Sequence, residues 1–112
     1  MKTKLIASLS FILALSATSA LAATAGENWE NHCAKCHGAD GKAQTKLGTK
    51  MKIKDYTNPA SLAAFSDEDL TKATALGVKD GAKEKMKGYG EKLSAAEVAD
   101  LVKFMRAFAA AK

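Results

Sequence analysis

One stretch of five residues, Cys33-Ala34-Lys35-Cys36-His37, constrains the chain more than any other part of the sequence. Two thiols three positions apart, followed at once by an imidazole, have the spacing of covalent haem attachment. Each cysteine sulfur can add to one vinyl group of a haem, and one tight turn brings both thiols within reach. The imidazole of His37 then lies where it can be the proximal iron ligand. Because the motif uses both cysteines of the chain, it predicts one covalently attached haem c.

The same two cysteines could instead belong to a zinc site, a redox dithiol or a simple disulfide. A zinc site would need two further Cys or His ligands at similar spacing, and outside the motif only His32 is left, directly beside Cys33. A thioredoxin-like dithiol would need a βαβ context, and no segment has the pattern of a strand. A disulfide between Cys33 and Cys36 stays as the main alternative to haem attachment.

The N-terminal segment 1–22 has the pattern of a secretory signal peptide. Two early lysines precede an apolar run over 5–15, and Ala20-Leu21-Ala22 is a cleavage pattern of small residues. The apolar run is shorter than the roughly 20 residues of a transmembrane helix, although an uncleaved anchor is the alternative. We therefore expect a signal peptide at 1–22, export to the periplasm, and a mature domain at 23–112 without stable membrane insertion.

The charge and size of the chain limit its functions. The formal net charge is +5, and loss of the two early lysines leaves +3. This mild excess comes without clustered arginines, so nucleic acid is not an expected partner. The mature chain suffices for one small domain, whose core is marginal without a prosthetic group.

Apolar periodicity and capping residues predict an all-α fold of three or four helices with long loops around the haem. Ser66 is an N-cap before three acidic residues, and Gly77 is the expected end of that helix. Ser94-Ala95-Ala96-Glu97 is a capping box before the longest helix, and Trp29 is expected in the core. Helical segments are predicted at 25–35, 61–65, 66–76 and 95–110, with loops at 42–59 and 79–92.

With these elements in order, the chain resembles a small bacterial class I c-type cytochrome. The resemblance rests on Trp29 four residues before the first cysteine, the haem motif, the loop Met86-Lys87-Gly88-Tyr89-Gly90 and the capped last helix. It implies that the first and last helices cross near the haem and that Met86 is the sixth iron ligand. Many relatives have a proline directly after that methionine, where this chain has Lys87.

The positions of the methionines favour the same ligand without the resemblance. Met105 lies on the apolar stripe of a helix, and Met51 lies among lysines only a short way after His37. Met86 lies in a glycine-containing loop that is far enough along the chain to wrap a macrocycle and approach its other face. Tyr89, in the same loop, is expected to pack in the haem pocket with its hydroxyl at the surface or on a propionate.

Ligation by His37 and Met86 would leave no open iron position, so we expect a one-electron carrier and not an enzyme. Two alternatives are an electron-entry subunit of a larger redox complex and, less favoured, a haem protein that binds O₂, NO or peroxide. We expect a monomer that docks redox proteins with acidic surfaces. The lysines expected to flank the haem are Lys35, Lys42, Lys46, Lys50, Lys52, Lys54, Lys79, Lys83, Lys85 and Lys87.

Overall fold

The computed structural model describes residues 23–110, so the predicted signal peptide at 1–22 lies outside the described residues. Helices dominate this part of the chain, as predicted, and none of them is long and apolar enough to cross a membrane. The helices are α1 (Ala25–His32), α2 (Ala34–His37), α3 (Lys46–Met51), α4 (Ala60–Ala63), α5 (Asp67–Leu76) and α6 (Ala95–Ala110). A two-stranded antiparallel hairpin, β1 (Gly77–Asp80) and β2 (Lys83–Lys87), lies between α5 and α6.

Local capping fixes the ends of the two longest helices, and both predicted starts are confirmed. The Ser66 hydroxyl accepts from the Asp69 N–H, and the Asp69 carboxylate accepts from the Ser66 N–H, each at 3.0 Å. Ser94 and Glu97 make the same reciprocal pair at the start of α6. Gly77 ends α5 with φ at 85°, a conformation that strains any residue with a Cβ. These caps satisfy backbone groups that helix ends leave unpaired.

The hairpin is the main departure from the sequence prediction, which placed a loop over 79–92. Its strand residues are mostly exposed and charged, so they lack the apolar alternation by which a strand is recognised. Val78 pairs with Met86 across the hairpin, and the register shifts between Val78 and Lys79. The loop prediction is wrong for 79–80 and 83–87, because backbone pairing between the two strands forms the hairpin without an apolar alternation.

The predicted loop over 42–59 also contains a short helix, α3. The Thr45 hydroxyl accepts from the Gly48 N–H at 2.8 Å and so caps the start of this helix. The same hydroxyl donates to the Cys36 carbonyl at 2.7 Å. One side chain therefore both begins α3 and ties it to the end of α2.

The core lies where α1, α5 and α6 pack together. Trp29 of α1 and Leu101 of α6 are almost completely buried, at 2% and 0% exposure, which confirms Trp29 as a core residue. The Trp29 indole N–H donates to the Gly38 carbonyl at 2.9 Å and thereby fixes the turn after α2. The rest of the core consists of Cys33, Leu62, Leu70, Leu93, Val98, Val102 and Met105.

Candidate haem site

The Cys-x-x-Cys-His motif lies at the junction of α1 and α2. Cys33 ends α1 and precedes α2, which runs to His37, and Gly38 then stops the helix with φ at 82°. This backbone keeps both thiols on one short turn, and neither is in a disulfide. Cys33 is buried and Cys36 is half-buried, so both sulfurs belong to the wall of the site and not to the open surface.

The surroundings of Cys33 bear on the dithiol and zinc interpretations. Burial, with a smaller contribution from neighbouring Cys36, raises the pKa of the Cys33 thiol to about 11. The thiolate that a reactive redox dithiol requires is therefore disfavoured near neutral pH. Among residues 23–110, moreover, no group of three or more His, Cys, Asp or Glu side chains could hold a metal ion.

Aromatic rings fix the orientation of the His37 imidazole. The ring of Tyr56 stacks on it with centroids 5.2 Å apart and an interplanar angle of 26°. Trp29 packs against the same imidazole at 5.6 Å. Burial lowers the pKa of His37, which favours the neutral imidazole that metals bind.

The His37 Nδ1 atom is buried and has no hydrogen-bond partner within the part of the chain that the structure describes. Packing by Trp29 and Tyr56 therefore holds the ring without a hydrogen bond at Nδ1. The contact with Tyr56 has no local sequence signal, because Tyr56 lies beyond α3, far from His37 along the chain.

Two adjoining cavities lie next to the motif, with volumes of about 280 and 80 Å³. All four predicted site residues, Cys33, Cys36, His37 and Met86, line the larger cavity. Three of them, Cys33, His37 and Met86, line the smaller cavity as well. The structure thus brings the thiols, the imidazole and one methionine to the border of a single composite space, although α3, α4 and α5 separate Met86 from His37 in the sequence.

The other methionines lie differently. Met51 lines only the larger cavity and is 39% exposed, whereas Met105 lines only the smaller cavity and is buried in the core, as predicted. Met86 owes its position to β2, because its pairing with Val78 in β1 holds it beside the end of α5.

Tyr89 is a site residue whose contact the sequence did not predict. Its hydroxyl donates to the His32 carbonyl at 3.0 Å, and is not directed to the surface or a propionate as expected. The amine of Lys87 lies 5.3 Å from the centroid of the tyrosine ring. Residue 89 thus connects the segment after Met86 to the residue directly before Cys33, a contact between positions 57 apart in the sequence.

All ten lysines expected to flank the site are exposed, but only Lys85 and Lys87 line the larger cavity. Glu84 lines it too, so the charge at its edge is mixed, with a positive excess. The amine of Lys87 lies close enough to that of Lys92 to lower the pKa of Lys92. Lys85, Lys87 and Lys92 thus form a positive cluster beside the cavity.

Comparison with known proteins identifies the family of the chain. The family model for cytochrome c matches residues 22–109. The solved structure of the c-type cytochrome KustC0563 has 30% identity and a TM-score of 0.67, over 77% of this chain and 98% of the other. A tyrosine-to-phenylalanine mutant of that cytochrome has 30% identity and a TM-score of 0.64, over 77% and 99%. No curated protein matches the chain.

These relatives define a family of haem c electron-transfer proteins that are typically exported and act with redox partners. The match extends over nearly all of the described chain, including the Cys-x-x-Cys-His motif and the hairpin with Met86. The chain is therefore a member of the cytochrome c family.

Proposed function

We propose that this cytochrome is a periplasmic one-electron carrier with a single haem c. Cys33 and Cys36 would hold the haem through thioether bonds, and His37 and Met86 would bind its iron. The observation that carries the proposal is that Cys33, His37 and Met86 line both of the adjoining cavities. A macrocycle that occupies the combined space has a thiol, an imidazole and a thioether on its border.

The residues of the site fit such a group chemically. Two free thiols on one turn are available for thioether bonds, and the imidazole of His37 is favoured in its neutral form. When bound, the haem supplies an iron that alternates between the ferrous and ferric states. The chain itself supplies a low-dielectric wall, because Leu70, Leu101 and Met105 line the smaller cavity.

Electron transfer is favoured over catalysis at the iron by the residues available near the site. Two protein ligands leave no open coordination position. Peroxide chemistry would use a polar distal pair such as histidine and arginine, and the only arginine of the sequence is Arg106. Its side chain donates to Asp67 and, at 2.7 Å, to the Phe65 carbonyl, so it ties α6 to α5.

The location and the partner follow from charge and from the N-terminal segment 1–22. The signal-peptide pattern of that segment favours export, and covalent haem is characteristic of exported proteins of this family. Lys85 and Lys87 line the larger cavity, and Lys92 lies beside Lys87. This positive cluster favours a redox partner with an acidic docking surface. A monomer that meets such partners transiently is the simplest form of this carrier.

Absorption spectra of the holoprotein test the ligand set, with mass spectrometry to count the haems. We expect a mass increase of one haem and the weak red charge-transfer band of ferric haem with a methionine ligand. Met86→Ala should abolish this band, whereas the matched variant Met51→Ala should keep it. Loss of the band in Met51→Ala, with retention in Met86→Ala, would show that Met51 and not Met86 is the ligand. That result would refute the proposal.

A further inference from the structure

The backbone directly after β2 lies against the end of α5. The Tyr89 N–H donates to the Thr74 carbonyl at 2.9 Å, and the Gly90 N–H donates to the Ala75 carbonyl at 3.0 Å. A Cβ on Gly88 would lie 2.5 Å from the Ala75 carbonyl oxygen, a distance that real Cβ atoms essentially never show. Only glycine therefore permits this close approach, two residues beyond the proposed iron ligand.

The side chain of Tyr89 connects the same segment to a second part of the chain, the residue before the motif. Its hydroxyl donates to the carbonyl of His32, which directly precedes Cys33 in the motif. The imidazole of His32 also contacts the tyrosine ring, with centroids 5.3 Å apart. Burial raises the pKa of Tyr89, so its hydroxyl remains a donor through the neutral range.

No proline stiffens the segment that carries Met86. The only proline of the sequence is Pro59, and Lys87 directly follows the methionine. A proline there would fix one backbone angle without any hydrogen bond. In this chain the position of the thioether must instead depend on hydrogen bonds and close packing.

We propose that Gly88 and Tyr89 are positioning residues that keep the Met86 thioether directed at the site. We call these two residues, together with their hydrogen bonds, the Met86 clamp. The bonds run from the Tyr89 N–H to the Thr74 carbonyl, from the Gly90 N–H to the Ala75 carbonyl and from the Tyr89 hydroxyl to the His32 carbonyl. The role rests on the proposed function, because it presupposes Met86 as a ligand. It goes beyond that proposal, since it states what sets the rate at which the ligand is released.

The clamp has a kinetic consequence. For Met86 to leave the site, residues 86–90 must move away from α5 and from the segment before Cys33. Each bond that has to break first slows this movement, and one net hydrogen bond corresponds to a factor of about five in an equilibrium or rate. Removal of one such bond should therefore speed methionine release without a change of ligand.

Imidazole displacement on the ferric holoprotein measures this rate. At saturating imidazole, the rate at which the red charge-transfer band disappears reports the rate at which residues 86–90 move away. We expect Tyr89→Phe to lose the band about fivefold faster than wild type, because it lacks only the hydroxyl. Gly88→Ala forces a Cβ against the Ala75 carbonyl. It should release methionine at least as fast as Tyr89→Phe does.

The control is Ser66→Ala, which removes the N-cap at the other end of α5. It should lower global stability to a similar extent yet leave the displacement rate within about twofold of wild type, since the clamp bonds at 74 and 75 persist. Wild-type displacement rates in either clamp variant, or equal acceleration in Ser66→Ala, would overturn the clamp. Retention of the red band in Met86→Ala would instead refute the proposed ligation, so the two failures are distinguishable.

Discussion

The side-chain amide of Asn28 donates to the Glu97 carboxylate at 2.8 Å and joins α1 to the first turn of α6. Asn28 is only 3% exposed, so its amide group has little access to water. The other oxygen of Glu97 accepts from the Ser94 N–H and closes the capping box. One carboxylate thus both starts the last helix and fixes it against the first.

This arrangement predicts acid-sensitive stability. The hydrogen bond from Asn28, and then that from the Ser94 backbone, lowers the pKa of Glu97 below its ordinary value of 4.5. A carboxyl group with a lower pKa in the folded state stabilises the fold above its unfolded pKa and loses that contribution as pH falls through the folded pKa. We expect the free energy of unfolding to decline below about pH 4.5, measured by denaturant titration at several pH values.

Glu97→Gln should flatten the part of this dependence that arises from Glu97. The part from Asp69 should remain, because its bonds with Ser66 also lower its pKa. An unchanged acid profile in Glu97→Gln would show that the Asn28 contact does not contribute to the pH dependence of stability.

Trp29 is the residue whose truncation should destabilise the fold most. It is 2% exposed, contacts Phe104, Phe108 and Tyr56, and donates to the Gly38 carbonyl. We expect Trp29→Ala to lower the free energy of unfolding by about 3–5 kcal/mol. Leu76→Ala, at a residue that is 75% exposed, should change it by about 0.5 kcal/mol or less. Chemical denaturation of both holoproteins measures the difference.

The extent to which the sequence predicted the structure depends on the range of the interactions. The starts of α5 and α6 were predictable because Ser66 and Ser94 cap their own helices within three residues. The hairpin was not, because its only apolar pair, Val78 and Met86, has meaning only once β1 follows α5 and packs there. The motif residues Cys33, Cys36 and His37 were proposed from their spacing along the sequence, which can be recognised without knowledge of the fold.

The contacts that hold the site were beyond local reasoning for the same reason. The Tyr89 hydroxyl and the His32 carbonyl are 57 positions apart, and either of the two segments that contain a tyrosine could have brought one there. Stacking of Tyr56 on His37 likewise depends on how the segment between α3 and α4 folds back. Such contacts are set by tertiary packing, so the sequence gives no local signal for the side chains that support the predicted site residues.

Folding of the domain should depend on the covalently bound haem. Neither cavity is filled by side chains, and the core is that of a small domain. We expect the double variant Cys33→Ala/Cys36→Ala to be largely unfolded or molten, with far-UV but little near-UV circular dichroism. Native-like protection of its amide hydrogens from exchange would contradict this expectation.

Docking of an acidic redox partner should depend on the lysines at the cavity edge. We expect Lys85→Gln and Lys87→Gln to slow electron transfer with an acidic partner and to weaken its salt dependence. Lys103→Gln, on the exposed face of α6, is the matched control and should have a smaller effect. Stopped-flow rates at a series of ionic strengths measure both quantities, and a rate independent of salt would indicate apolar docking instead.

The identity of the distal ligand should also determine the reduction potential. Thioether is a soft, neutral donor that favours the ferrous form, and imidazole favours the ferric form more. Met86→His should therefore lower the potential, by about 59 mV for each tenfold change in the ferrous–ferric preference. Met86→Ala should open a coordination position to CO, whereas Met105→Leu should cost only packing, typically under about 1.5 kcal/mol. Redox titration measures the change in potential. An unchanged potential in Met86→His would mean that residue 86 does not bind the iron.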